Sequence, residues 1–99
     1  MTMNALPKIR ESEFQSQVMQ FASLTGWLVY HTHDSRRSVA GFPDLVLIRR
    51  ERVVVAELKV GKRKTTPAQQ IWLRAFADAG VAAYVWRPEH FEQIREVLS

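Results

Sequence analysis

The sequence predicts an α/β fold, a mixed central sheet flanked by helices, and three observations carry that prediction. Segments with apolar residues at three- and four-residue steps alternate with short runs of strand formers. Two of those runs are joined by a charged turn short enough to make them a hairpin. A helical segment then separates the hairpin from the last run, as a crossover between parallel strands requires.

In chain order, the first helix runs from Glu11 to about Thr25. Phe14, Val18, Phe21 and Ala22 form its apolar stripe, and Gly26 follows as a C-cap. Trp27 to Thr32 is rich in strand formers, and the polar stretch after it reads as a loop. Asp44 to Ile48 and Val53 to Lys59 are two strands around the turn Arg49 to Arg52, a hairpin expected at the centre of the sheet. Gly61 to Thr65 is a basic loop. Thr66 is an N-cap with Pro67 at the first helical position, so a second helix starts there and runs to about Ala79. Gly80 ends it, Val81 to Trp86 forms the last strand, and Pro88 opens a final helix through Phe91, Ile94 and Leu98. The crossover from the Glu57 strand through the second helix should be right-handed and leave those strands parallel. Such a sheet is expected to need cover on both faces. Trp27, Trp72 and Trp86 read as core and Thr65-Thr66 as a cap.

Composition bounds the function. Ninety-nine residues with 46% hydrophobic content make one core, so residues 1–99 are expected to form a single domain, with self-association a natural source of further stability. The absence of cysteine excludes a disulfide framework and any thiolate metal site. No apolar run approaches the roughly 18 residues of a membrane span, and the N-terminal stretch lacks the apolar core of an export signal, so a cytoplasmic protein is expected. The formal charge of +4 is unevenly placed: Arg36-Arg37, Arg49-Arg50-Arg52 and Lys62-Arg63-Lys64 crowd the middle, a distribution that suits a polyanion.

The chemistry sits at the end of the hairpin. Alternation puts Glu57 and Lys59 on one face with Leu58 on the other, and a turn at Arg49 to Arg52 returns Asp44 beside Glu57. Two carboxylates, with waters and a substrate phosphate completing the shell, make a set that Mg²⁺ prefers; the main-chain carbonyl of Leu58 is a candidate third ligand. Beside such an ion, Lys59 can orient a water or stabilise a phosphorane, which points to phosphodiester hydrolysis. Taken singly, such residues are more commonly an exposed cross-strand pair and a turn acid. It is their joint placement at the end of an apolar strand that favours a site.

The segments GFPDLVLIR, VVVAELKVGK and TPAQQIWLRAF resemble the VRR-NUC branch of the PD-(D/E)xK nucleases, and the resemblance runs from Glu11 nearly to the C-terminus. It implies a restriction-endonuclease-like core, Mg²⁺ or Mn²⁺ as cofactor, Asp44 and Glu57 as metal ligands and Lys59 as the catalytic lysine. Small stand-alone members, many from phages, are similar in being homodimers that act on branched DNA such as four-way (Holliday) junctions. The expected setting is therefore a bacterial cell or a phage-infected host. A flap- or end-processing nuclease and a catalytically silent DNA-binding module are the rival readings.

The family also has a glutamate on its first helix. At 100° per residue Glu11 falls in the stripe of Phe14, Val18 and Ala22, whereas Glu13 lies opposite, so Glu11 is the candidate; it reads equally as a favourable acid at a helix N-terminus. Gln69 shares a stripe with Trp72, Leu73 and Phe76, faces the sheet and aligns with the family's glutamine; it too has a plain alternative, a buried amide satisfied by backbone. Lys62, Arg63 and Lys64 follow the catalytic strand and are placed to grip backbone phosphates without reading bases, and Arg36 and Arg37 are candidates for the same role. His31 and His33 read as a zinc fragment or a general base, but no third zinc ligand is apparent and His90 is remote; with the following loop they are instead expected near the active face, touching phosphate.

Overall fold

The hairpin is the spine of the molecule. In the computed structural model, which describes residues 9–33 and 39–99, β2 (Leu45–Arg49) and β3 (Arg52–Leu58) pair antiparallel from Leu45 opposite Ala56 to Arg49 opposite Arg52. Arg50 carries the turn at φ 57°, a left-handed conformation usually left to glycine or asparagine. Both strands reach closer to the turn than the apolar pattern predicts, because Arg49 and Arg52 sit on the core face and find partners there. β1 (Leu28–His31) lies antiparallel along β2, and β4 (Ala82–Trp86) parallel along β3, in the order β1-β2-β3-β4. The hairpin is therefore central and the crossover strand parallel, as the sequence implies.

Alternation divides the side chains between two faces. Leu45, Leu47, Val54, Ala56, Leu58 and Trp86 point to one face and are buried against Phe14, Val18 and Ala22 of α1 (Glu11–Leu24) and Ile94 and Leu98 of α3 (Phe91–Leu98). Thr25 closes α1 by donating its hydroxyl to Phe21 O, and Gly26 turns the chain at φ 91°. α2 (Pro67–Asp78) lies on the other face against β3 and β4. The final helix has a 3₁₀ turn at Pro88–His90 before α3 begins.

Two features depart from expectation. The second face is covered only in part: Leu28, Tyr30, Ile48 and Val53 remain 39% to 74% exposed, because the single helix on that side lies over β4 and part of β3 and leaves β1, the turn end of β2 and the start of β3 uncovered. The arginines flanking the turn, part of the charge that suited a polyanion, are structural. Arg49 donates to the carbonyl oxygens of Thr25 and Ser99, and Arg52 to that of Val97. Their guanidinium carbons stand 4.7 and 5.0 Å from the ring centroid of Trp27, whose Nε1 donates to Leu98 O. Cations at a helix C-terminus also complement its dipole. No helix of the described residues is long and apolar enough to cross a membrane.

Candidate active site

At the end of the sheet opposite the arginine turn, three polar side chains leave the apolar strands together. Asp44 immediately precedes β2, so the register that sets Leu45 against Ala56 brings Asp44 beside Glu57. Its backbone is fixed by Thr32, whose N–H donates to Asp44 O at 2.8 Å and whose hydroxyl donates to Pro43 O at 2.6 Å. One carboxylate oxygen of Asp44 accepts the N–H of Leu58 at 2.8 Å. Glu57 and Lys59 are buried, with Lys59 Nζ 3.6 Å from Glu57 Oε2. Burial, followed by the charge and hydrogen bond of Asp44, pushes the Glu57 carboxyl up to about 8, and Lys59 offsets only part of that.

α2 completes this corner, and its seat is shaped by the segment before β2. Gly41 has φ 89°, and a Cβ there would come within 2.4 Å of the Ala68 carbonyl carbon, so only glycine lets the chain pass the helix. Phe42 anchors the contact edge-on to Trp72 and Phe76, at 5.1 and 5.9 Å between centroids. Gln69, half-buried, hydrogen-bonds in two directions. Its Oε1 accepts from the N–H of Thr66 in a reciprocal capping box, while its Nε2 donates to Glu57 Oε2 at 2.9 Å.

Beside this corner runs a cleft lined by Glu11, Gln15, His31, His33, Asp44 and Gln69, among others. Glu11 is half-exposed and ion-paired with Arg63 at 3.6 Å, whereas Glu13 faces away toward Arg10. Lys62, Arg63 and Lys64 are exposed. Their loop is pinned from below by Arg87, which donates to Gly61 O and Arg63 O at 3.1 and 2.6 Å. His90 accepts the N–H of Arg87 with Nδ1, so it serves the start of the last helix. Arg36 and Arg37 lie outside the described residues. Sequence reasoning missed Arg87, which no local pattern marks, and Gln15, which its four-residue offset from Glu11 could have exposed.

Whether a divalent cation suits this corner can be tested on the donor set. Glu57 Oε1 is buried with no hydrogen-bond partner among the described residues. A buried carboxylate oxygen left bare is costly unless a cation or proton meets it. No three His, Cys, Asp or Glu side chains converge closely enough among the described residues to close a metal shell alone. Two carboxylates with waters and phosphate are instead the mode of a hard ion. The residues present fit such an ion.

Residues 3–89 match the family model described as the VRR-NUC domain. The chain belongs to the VRR-NUC family. This places it in the PD-(D/E)xK nuclease superfamily and makes it a nuclease domain by descent. Among curated proteins, the VRR-NUC chain is 44% identical over 52 residues to the Fanconi-associated nuclease 1 homolog of Caenorhabditis elegans. That match takes in 50% of this chain and only 6% of the length of that protein. A solved structure titled VRR_NUC domain superposes with TM-score 0.71 at 25% identity, over 88% of this chain and 91% of the other. A second, titled VRR_NUC domain protein, gives TM-score 0.71 at 24% identity over 91% and 85%, and supports the fold alone.

Proposed function

We propose that residues 1–99 act as one divalent-metal-dependent DNA endonuclease domain that hydrolyses phosphodiester bonds and prefers branched DNA such as four-way junctions. The observation that carries this reading is the convergence of Asp44, Glu57 and Lys59 beyond an apolar hairpin, with Glu57 Oε1 buried and given no hydrogen-bond partner among the described residues. Asp44, Glu57 and the main-chain carbonyl of Leu58 would hold Mg²⁺ or Mn²⁺. When bound, such an ion polarises a phosphate and lowers the pKa of a water beside it. Lys59 donates from Nζ to the attacking water or to a phosphate oxygen, and its stem, buried with the strand, keeps that donor in place. Gln69 fixes Glu57 Oε2 and so sets where the other oxygen points. Glu11 borders the cleft and positions a neighbouring group, while Lys62, Arg63 and Lys64, with Arg36 and Arg37, hold the backbone.

Branched substrates, a homodimer and action in the cytoplasm of a bacterial or phage-infected cell belong to the same proposal. The dimer draws support from the bare apolar half of the sheet, since patches of that kind mark association surfaces. Nicking assays on linear, flap and four-way DNA with Mg²⁺, Mn²⁺ or Ca²⁺ test the reading. Cutting of four-way DNA by wild type in Mg²⁺ or Mn²⁺ is expected, with losses on the order of 100-fold or more in Asp44→Asn and Lys59→Ala. Cutting confined to flaps or ends would move the assignment to end processing. Tight binding with no cutting in any metal would leave a binding module.

A further inference from the structure

The wall of the cleft formed by α1 and the end of β1 carries groups that the carboxylate patch does not use. Gln15 stands one helical turn after Glu11, and its amide nitrogen lies 3.0 Å from His31 Nε2. The ring of His33 is tilted against that of His31 with 5.7 Å between centroids. All three line the same cleft of about 360 Å³ that Asp44 and Gln69 border. Gln15 and His31 are half-buried, so their hydrogen bond adds little to folding and mainly orients two polar groups. With the amide as placed, Gln15 donates to the imidazole and leaves the imidazole N–H and a second amide N–H to donate elsewhere. With the amide turned over, its whole NH₂ group is left instead. In either arrangement the pair offers a hydrogen-bond donor to a ligand in the cleft.

The charge around this wall selects the ligand. Asp44 and Glu57 repel a phosphodiester that lacks a cation between, but the nearest acid on this wall, Glu11, is already paired with Arg63. The wall itself presents amide and imidazole groups, hydrogen-bonding side chains suited to an anion that does not share the metal. We propose that Gln15, His31 and His33 form a phosphate-binding subsite that takes a phosphodiester next to the one cut, and so sets the register of the strand. This rests on the endonuclease reading and adds a substrate contact to it.

The test pairs side chain with phosphate. DNA carrying a single neutral methylphosphonate, moved stepwise along the strand around the junction, is titrated by fluorescence anisotropy in Ca²⁺ with wild type, Gln15→Ala, His31→Ala and His31→Asn. Circular dichroism checks that each variant is folded, and His31→Asn, which keeps a donor, stands in should the alanine variant not fold. The alanine variants should lose about tenfold in affinity for all-phosphate DNA. One methylphosphonate position should cost wild type a similar factor and cost His31→Ala nothing further, while His31→Asn recovers part of the loss. Equal losses on every substrate, or no DNA binding by wild type, would overturn the subsite. Wild type that binds without cutting leaves this cycle decisive while removing the enzymatic reading.

Discussion

At the residue scale, Glu57 concentrates the tension in the structure. Its carboxyl keeps a proton up to about pH 8 in the fold, whereas in an unfolded chain it releases it near 4.3. Between those values the folded state holds the extra proton, so stability from this group is fully present below about pH 4.3 and is lost as the pH rises toward 8. Glu57→Gln removes that burden while keeping the shape. In EDTA the variant should therefore gain stability relative to wild type as the pH goes from 5 to 8.5, by an amount on the order of a few kcal/mol. Urea denaturation at the two pH values checks this, and an unchanged difference would mean that Glu57 is already ionised in the fold. The same argument makes divalent metal bind better as the pH approaches 8, because proton and cation compete for one carboxylate. That Glu57 and Lys59 share a face was legible in their two-residue spacing. The missing partner of Oε1 was not, because it depends on how far Asp44, Leu58 and Gln69 satisfy one another across three segments.

At the scale of elements, glycine and cap residues did most to make the fold legible. Gly26, Gly80 and the Thr66-Pro67 start bound the helices where they were expected, since each acts through local backbone geometry. The strand ends were less legible because Arg49 and Arg52 extend the hairpin toward partners 50 and 45 residues away. The docking of α2 offers a controlled comparison. Gly41 and Gly80 have nearly the same φ, 89° and 88°, but only Gly41 has a neighbour in the way. Gly80→Ala should cost roughly 1–2 kcal/mol for the left-handed backbone alone. Gly41→Ala should cost a further ~1–3 kcal/mol as Ala68 is displaced. It should also slow cutting, because Gln69 moves with the helix. Thermal melts of both variants beside a single-turnover assay separate the effects; equal melting points would mean that the contact with Ala68 yields freely.

On the scale of the whole molecule, one face is finished and the other is half open. A chain this small gains from covering Leu28, Tyr30, Ile48 and Val53, and the proposed dimer would do so. Light scattering should find a concentration-dependent dimer that Ile48→Asp shifts to monomer without unfolding it. A wild type monomeric at every concentration would leave the face to another partner or to solvent. The arginine clamp around Trp27 carries a consequence for how the molecule meets an electrolyte. Because Arg49 and Arg52 are committed to carbonyls and an indole at the far end of the sheet, they displace no counterions from a nucleic acid. The logarithmic dependence of DNA affinity on salt should therefore keep its slope in Arg49→Ala, even as that variant melts earlier, and should flatten by about 0.9 in Lys62→Ala. The ions released on binding would report which cations face the polymer and which are masonry.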